Sequence, residues 1–308
     1  MFTEQQNFAI VQTELDSVFY QEFEYDASFP SIATANTAEL FKPLQTTHAA
    51  YIEEIFKGVG LFPTIGETQT VPAGTPHVTN KLTTLIKDFA QAIPLSKNLF
   101  DDNMHGVWAK SVADMARKAR ITQDDNAFAL FRGAFTTTLT ADGVPFISAS
   151  HPLIGGGTQS NLVTGALTQA TLNDAMVSLR QQKDQAGVVM GSVGCYLLVP
   201  SPLFKQAVQI TESALISGNG NNDINVYRSA YGITVYTSPY LDAVTGGSDT
   251  AWFLLARNHS VTRLIRQGIE TALRPWQVSD NRTYLYQCNF RETVYVPDYI
   301  GVVGSTGV

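Results

Sequence analysis

The segment that decides the fold runs from Phe131 to Leu162 and reads FRGAFTTTLTADGVPFISASHPLIGGGTQSNL. From residue 133 to residue 166 the chain lacks the periodicity of a helix or a strand, and this stretch contains the turn former Asp142-Gly143 and three consecutive glycines at 155–157. An irregular segment of this length inside a compact domain is usually functional or part of an interface. The rest of the chain is therefore interpreted outward from it.

Apolar residues upstream of this segment recur at helical spacing. One apolar stripe predicts a helix over residues 103–121. Its members are Trp108, Val112, Met115 and Ala119. A second helix is predicted to begin at Thr122, where Asp125 completes a capping box. Phe128 and Phe131 form the buried side of that second helix.

The N-terminal part of the chain alternates between helical and extended patterns. Residues 3–23 predict an amphipathic helix, whereas residues 24–45 lose periodicity, which favours an extended arm. A short helix is predicted after Thr47 and ends at the glycines of residues 58–60. Residues 61–95 carry Gly, Thr and Pro and then β-formers, which predicts a hairpin that projects from the body.

Downstream of the segment, helices and strands alternate before strands dominate. A helix is predicted from Thr168 or Thr171 to Gly187, and the apolar run Val193 to Val199 predicts a strand buried on both faces. Ser201-Pro202 has the pattern of a helix start. Further strands are predicted at 231–237, at 251–256 and from Tyr284. One face of the last strand carries Tyr284, Tyr286, Cys288 and Phe290.

The chain carries few charged residues for its length. Of its 308 residues 15% are charged, against roughly 25% in typical soluble domains. A protein that buries much of its surface against copies of itself has this composition, but so does a monomer with a neutral polar surface. The net charge of −7 argues against binding nucleic acid through its phosphates. The densest basic cluster, at residues 117–120, suits the end of a predicted helix.

Four tyrosines lie close together in one segment, and two interpretations of them remain open. They are Tyr227, Tyr231, Tyr236 and Tyr240. Aromatic residues with few charges nearby fit a subunit interface. An aromatic-rich core explains them equally well.

The histidines and cysteines show no spacing typical of a catalytic or metal site. The five histidines match no metal-ligand motif, and each is expected to be a surface or hydrogen-bonded histidine. They are His48, His77, His105, His151 and His259. Cys195 and Cys288 lie in strand-like runs and are expected to be buried free thiols.

Other possible sites have simpler structural explanations. The paired acids Asp101-Asp102 and Asp124-Asp125 are predicted to lie at helix starts, where the dipole favours them. The glycines at 155–157 lack the Lys-Ser/Thr of a phosphate-binding loop, and residues 219–223 lack the EF-hand pattern. We therefore predict no catalytic, cofactor-binding or metal-binding residue, and we predict that the protein is not an enzyme.

The sequence shows no sign of export or of a membrane anchor. Its start lacks the basic and apolar regions of a signal peptide. No apolar stretch approaches the roughly 20 residues that span a bilayer. The protein is therefore expected in a cytoplasm-like compartment, without a membrane partner.

The order of short motifs resembles that of tailed-bacteriophage major capsid proteins. The residues are 131–135 (FRGAF), 142–146 (DGVPF), 148–152 (SASHP) and 155–162 (GGGTQSNL). Upstream, IPLSKNLFDDN at 93–103 resembles the strand that leads into the family's long spine helix. Within the family the chain looks most like Mu-like major head subunits. The resemblance is best over residues 90–215.

The resemblance implies the α+β fold known as the Hong Kong 97 phage fold. It implies an N-terminal arm at 1–54 and an extended β loop at 55–95. A peripheral domain with the spine helix would take 96–165 and return at 265–308, and an axial domain would be inserted at 166–264.

The implied function is assembly of a virion shell. Copies would form pentamers and hexamers and close into an icosahedral head that encloses double-stranded DNA without sequence-specific binding. Expected partners are a scaffolding protein, a portal and a decoration protein, and the expected locations are the virion and, during assembly, the host cytoplasm. Some members of this fold crosslink a lysine to an asparagine between subunits. No crosslinking motif matches Lys57, Lys81, Lys87 or Lys97, so no autocatalysis is predicted.

Three alternatives remain open at the level of sequence. An encapsulin-type compartment shares the fold but encloses an enzyme cargo, and neighbouring genes would discriminate it: portal and terminase genes accompany a phage head. An enzyme of unknown class would need a cluster of titratable residues that the sequence does not display. A tail-tube or decoration subunit is disfavoured by the predicted spine helix and the chain length.

Overall fold

The computed structural model describes residues 4–24, 38–56, 60–73, 78–98, 105–154, 156–214, 224–275 and 283–308. The helices are α1 (Glu4–Phe23), α2 (His105–Arg132), α3 (Gln169–Gln181) and α4 (Phe204–Glu212). The strands are β1 (Lys42–Gln45), β2 (Ala50–Phe56), β3 (Val78–Leu85), β4 (Lys87–Ser96), β5 (His151–Pro152), β6 (Thr158–Gln159), β7 (Leu162–Val163), β8 (Gly194–Val199), β9 (Thr234–Thr237), β10 (Trp252–Ala256), β11 (Thr262–Arg274), β12 (Thr283–Tyr295) and β13 (Val302–Ser305).

The chain divides into two compact units. Unit 1 comprises Met1–Ala50, Leu85–Ala127 and Arg263–Val294, and unit 2 comprises Tyr51–Thr84, Phe128–Thr262 and Tyr295–Val308. These limits differ from those of the predicted arm, β loop, peripheral and axial segments, whose division stays a prediction.

Unit 1 is built around a four-stranded sheet with the order β1-β11-β12-β4. The predicted alternation of β12 is confirmed, because Tyr284, Tyr286, Cys288 and Phe290 are all buried. They share a core with Val11, Leu15 and Phe19 of α1 and with the predicted stripe of α2. The Asp16 carboxylate accepts hydrogen bonds from the hydroxyls of Thr271 and Tyr286, both at 2.7 Å, which ties α1 to the sheet.

Helix α2 is one continuous helix, so the predicted break at Thr122 is wrong. The Thr122 hydroxyl donates to the carbonyl of Lys118 one turn earlier, at 2.8 Å, instead of capping a new helix. Asp124 is buried within the helix and does not lie at a helix start. The helix buries its predicted stripe in unit 1, and Phe128 and Phe131 are buried in unit 2 as predicted.

Unit 2 contains a five-stranded sheet with the order β7-β13-β10-β8-β9. Strand β10 pairs antiparallel with both β8 and β13, whereas the two edge pairs are parallel. All five residues of β10 are buried, as is most of β8, which confirms the strand predicted at 251–256 and the buried strand predicted from Val193 to Val199. Val193 itself precedes β8 and is exposed. Helix α3 covers this sheet with the predicted residues Leu172, Ala175, Met176 and Leu179.

Two helix starts in unit 2 illustrate how local chemistry sets element limits. Thr168 caps α3, and Thr171 closes the capping box by accepting from the Thr168 backbone at 2.9 Å. The helix ends at Gln181, earlier than the predicted Gly187, which lies in a turn after Asp184. The predicted start at Ser201 is a short 3₁₀ turn over Ser201–Leu203 that leads into α4. The predicted loop at 219–223 lies outside the described residues.

Residues Ala50–Phe56 form a strand, so the helix predicted after Thr47 is wrong. Tyr51, Glu53 and Ile55 are at least partly buried whereas their neighbours are exposed, which is the two-residue period of a strand. Strand β2 pairs with β3 in a two-stranded sheet. Strand β4, predicted as part of the same projection, pairs instead with β12 over its whole length.

Candidate functional site

The hairpin formed by β2, β3 and the described part of their connection exposes several large apolar side chains. Every described residue from 60 to 73 is exposed. We define the hairpin apolar surface as Ile52, Phe56, Leu61, Phe62 and Val71, each of which is more than half exposed. Phe62 reaches 94% exposure. Several large apolar side chains exposed on one element are typical of an interaction site.

The opposite side of β2 is held by Tyr295 within unit 2. The Tyr295 hydroxyl donates a hydrogen bond to the Glu53 carboxylate. The rings of Tyr51 and Tyr295 lie 5.8 Å apart. Burial raises the pKa of Tyr295, and the bond to Glu53 adds to the effect, so the phenol stays a donor. One side of the strand is thus anchored while the other presents Ile52 and Phe56.

The irregular segment highlighted by the sequence encloses a buried polar cluster in unit 2. His151 and Asp142 are almost fully buried, and His151 Nδ1 lies 2.7 Å from Asp142 Oδ2. His151 Nε2 lies 3.2 Å from the side-chain oxygen of Asn161. Asp142 Oδ1 also accepts from the Thr140 hydroxyl and, at 3.0 Å, from the Val144 N–H. Burial acts to raise the pKa of Asp142, but the bonds from His151, Thr140 and Val144 outweigh it and lower the pKa.

Tyr299 and Asp298 close this cluster from the C-terminal side. The Tyr299 ring stacks on His151 with centroids 3.9 Å apart and an angle of 13°. The buried Tyr299 hydroxyl has no hydrogen-bond partner among the described residues. Burial raises the pKa of Asp298 to about 6, although the N–H groups of Tyr299 and Ile300 act to lower it.

Because the pKa of Asp298 is raised, we predict that Asp298→Asn increases the free energy of unfolding and that the increase depends on pH. A carboxyl group with a raised pKa stabilises the fold below its ordinary pKa and loses that contribution as the pH rises through about 6. Asparagine stays neutral, so the free energy of unfolding should rise by about 2–3 kcal/mol near pH 8 and by almost nothing near pH 4. Urea unfolding of the unassembled subunit at both pH values measures this. An equal change at both values would contradict it.

Unit 1 contains a second buried polar group at Glu292. Arg263 Nη2 lies 2.5 Å from Glu292 Oε2, and both side chains are largely buried. Gln123 of α2 donates to the same carboxylate oxygen at 3.4 Å. Burial raises the pKa of Glu292, and Arg263 acts against that shift. The pair joins β11 to β12, and Gln123 connects it to α2.

The remaining residues singled out by sequence are distributed over both units. His48 is exposed and His259 is buried, whereas His77, the side chain of His105, Lys57, and Asp101-Asp102 lie outside the described residues. Both cysteines are free. Cys288 is buried as predicted, and burial raises its pKa to about 11, but Cys195 is only partly buried.

The tyrosine cluster favours the core interpretation for two of its members. Tyr227 and Tyr236 are buried in unit 2, and Tyr231 accepts a hydrogen bond from Arg180 at 2.7 Å. Within the described part of the chain, no cluster of histidine, cysteine and acidic side chains could hold a metal ion. None of the helices described is both long and apolar enough to cross a membrane.

Comparison with known proteins gives a family and a fold. A family model described as phage capsid protein matches residues 80–305. No curated protein shows significant similarity to the chain. A solved structure from Microbacterium phage Oxtober96 is 13% identical with a TM-score of 0.56, covering 92% of this chain and 94% of that chain.

Two further solved structures have the same fold. The capsid of bacteriophage JBD30 decorated with minor capsid protein trimers is 14% identical, with a TM-score of 0.53 over 71% of this chain and 97% of that chain. A virus-like particle from Pyrococcus furiosus is 8% identical, with a TM-score of 0.53 over 95% of this chain and 98% of that chain. The mixed helix-and-sheet architecture is thus that of the Hong Kong 97 phage fold, as predicted. Because the family model covers most of the sequence, the chain belongs to the phage capsid protein family and is a capsid shell protein.

Proposed function

We propose that this capsid protein is the major shell subunit of a tailed bacteriophage. Its copies form pentamers and hexamers, and these close into an icosahedral head around double-stranded DNA. The observation that carries the proposal is the hairpin apolar surface, which the described chain leaves exposed. The resemblance to major capsid proteins supports this geometry of assembly.

The hairpin is suited to bind a neighbouring copy. A two-stranded hairpin is marginally stable alone and needs a further surface to pack against. Burying an exposed Ile, Leu or Phe side chain contributes about 1.5–3 kcal/mol. Few charges lie on the hairpin, so a neighbour with the same neutral composition needs no charge complementarity. A second copy of this chain is therefore the occupant that we propose.

The hairpin, and not α1, carries the bridging role in this proposal. Helix α1 buries Val11, Leu15 and Phe19 in the core of unit 1. Its Asp16 is bound to Thr271 and Tyr286 of the same unit. An element packed in this way contributes to its own subunit first. The predicted arm function of residues 1–54 stays a prediction.

The negative net charge of the chain supports enclosure of DNA without tight binding. A net charge of −7 leaves little to neutralise phosphates. A lumen that bound phosphates strongly would oppose sliding and dense packing of the genome. A strongly basic inner surface of the assembled shell would contradict this part of the proposal.

Partners and location follow from the proposed shell. We propose a scaffolding protein and a portal during assembly in the host cytoplasm, and the virion as the final location. The JBD30 capsid, which shares the fold, is decorated with minor capsid protein trimers. That likeness supports a decoration protein as a further partner. We propose no enzymatic reaction and no covalent crosslink between subunits.

An encapsulin-type compartment is the second candidate, favoured by the shared fold of the Pyrococcus furiosus virus-like particle. The contents of particles isolated from the native source distinguish the two functions. Nuclease-protected double-stranded DNA is the result expected for a phage head. Particles that hold an enzyme and no protected DNA would contradict the phage function. So would a gene for this chain that lies beside a cargo gene and has no portal or terminase genes nearby.

A further inference from the structure

The positions of the atoms around His151 indicate which of its two ring nitrogens carry protons. Asn161 has its side chain fixed by two backbone groups, because Nδ2 donates to the Phe146 carbonyl and Oδ1 accepts from the Ser148 N–H, both at 2.8 Å. Exchanging the two amide atoms would break both bonds. The atom that faces His151 Nε2 at 3.2 Å is therefore an acceptor.

The other ring nitrogen of His151 also faces an acceptor. His151 Nδ1 lies 2.7 Å from Asp142 Oδ2, while Asp142 Oδ1 is occupied by the Thr140 hydroxyl and the Val144 N–H. A neutral imidazole has one donor and one acceptor nitrogen, and only the imidazolium donates from both. A cationic partner also stabilises a buried carboxylate, since an unpaired buried charge is costly.

We infer that His151 carries protons on both ring nitrogens in the folded protein, and that this buried imidazolium is a latch that joins Asp142 to Asn161. Removing one proton would leave the Asp142 carboxylate buried without a cation. It would also place two lone pairs against each other, on Nε2 and on Asn161 Oδ1.

The surrounding groups favour the cation. Asp298 contributes a second nearby carboxyl group, which interacts with both His151 and Asp142. The stacked face of Tyr299 attracts a cation. Burial, and after it the charges of Asp298, Asp142 and Asp184, raise the pKa of Tyr299, so the phenol stays neutral. The groups shown to act on the His151 ring are thus the carboxyl groups of Asp142 and Asp298 and one neutral phenol.

The latch connects the loop to the edge of the unit 2 sheet. The Asn161 carbonyl accepts from the Gly304 N–H at 3.0 Å, next to the β7–β13 pairing. On the other side, β5 pairs with β6, whose Gln159 lines a cleft of about 480 Å³ together with Asp174 and Val177 of α3. Opening the latch would therefore loosen this edge and one wall of the cleft, but not the core of α3.

Magic-angle-spinning NMR of the full chain labelled with ¹⁵N-histidine tests the proton assignment. It applies to the subunit and to assembled particles alike, so it does not depend on the proposed shell function. The His151 signals are identified by their loss in His151→Gln. We expect both ring nitrogens to carry a bonded proton near pH 7.5. A ring with one bare nitrogen at that pH would overturn the inference.

Two variants distinguish the effect of the Asp142 charge from the effect of a lost hydrogen bond. Asp142→Asn removes the charge of the partner, so His151 should lose its second ring proton at the same pH. Thr140→Val removes the hydroxyl that bonds to Asp142 and to the Val144 carbonyl but changes no charge, so both ring protons should remain. A second proton that persists in Asp142→Asn, or one that is lost in Thr140→Val, would contradict the proposed role of the carboxylate.

The NMR measurement on the unaltered protein keeps the proton assignment testable even if the variants fail to fold. Hydrogen exchange of Asp142→Asn tests the latch itself: residues 146–154, 156–163 and 299–304 should lose protection roughly tenfold or more relative to the unaltered protein at the same pH. Helix α3 should keep its protection in both proteins. Uniform loss in both regions, or no loss in either, would refute a local latch.

Discussion

Ile52→Ser, Phe56→Ser and Phe62→Ser together are expected to abolish shell formation while leaving the subunit folded. All three side chains are more than half exposed on the hairpin, so their loss removes little from the subunit's own core. Exposed substitutions of this kind usually change the free energy of unfolding by about 0.5 kcal/mol or less. Each lost contact with a neighbour costs about 1.5–3 kcal/mol, however, and recurs around the shell.

The concentration of subunits needed for assembly should therefore rise at least about a hundredfold. Sedimentation velocity measures the particle fraction, and urea unfolding checks that the subunit is intact. Glu54→Gln with Thr83→Ser is the matched control, because both residues are exposed on the same hairpin and the change leaves its apolar area intact. Normal particles from the triple variant would show that the hairpin apolar surface has another role.

Arg263→Met is expected to destabilise the subunit by about 3–5 kcal/mol, because it leaves the Glu292 carboxylate buried without its cation. Glu292 is almost fully buried and lies 2.5 Å from Arg263 Nη2. Burial already raises the pKa of Glu292, and loss of Arg263 removes the group that opposes the shift. A raised carboxyl pKa stabilises the fold only at low pH, so the deficit should be larger at about pH 8 than at about pH 4.

The double variant Arg263→Met, Glu292→Leu is the control for this prediction. Replacing both partners of a buried ion pair by apolar residues is often neutral or stabilising. The double variant should therefore recover most of the stability and lose the pH dependence. Urea unfolding of the unassembled subunit at both pH values measures all three proteins. A double variant as unstable as the single one would show that Arg263 acts by packing and not by charge.

The buried elements were predictable where one pattern dominated. The stripe from Trp108 to Ala119, the apolar strand β8 and the alternation of β12 all lie in the cores, as their spacing predicted. The helix prediction for Ala50–Phe56 was wrong because the apolar residues at 52, 55 and 56 fit one face of a helix as well as a strand with one half-buried side. Pairing with β3 decides between them, and pairing partners are not visible in a local pattern.

The buried polar clusters around His151 and Glu292 could not be predicted from the sequence, for a different reason. Asp142, His151 and Asn161 all lie in motifs that carry the resemblance, so the sequence marked them without showing that they meet. Their contacts depend on the path of an irregular loop, which no periodicity describes. Arg263, Glu292 and Gln123 carry no motif, and the sequence provided no signal for them. The break predicted at Thr122 was wrong because a Thr-x-x-Asp pattern also fits a helix interior, where the hydroxyl bonds back one turn.

Negative-stain electron microscopy of the expressed full chain tests the central claim most directly. The account predicts closed shells or rings of capsomers, formed by the protein alone or on addition of its scaffolding protein. A homogeneous monomer at high protein concentration, which the scaffolding protein does not convert into shells, would contradict it.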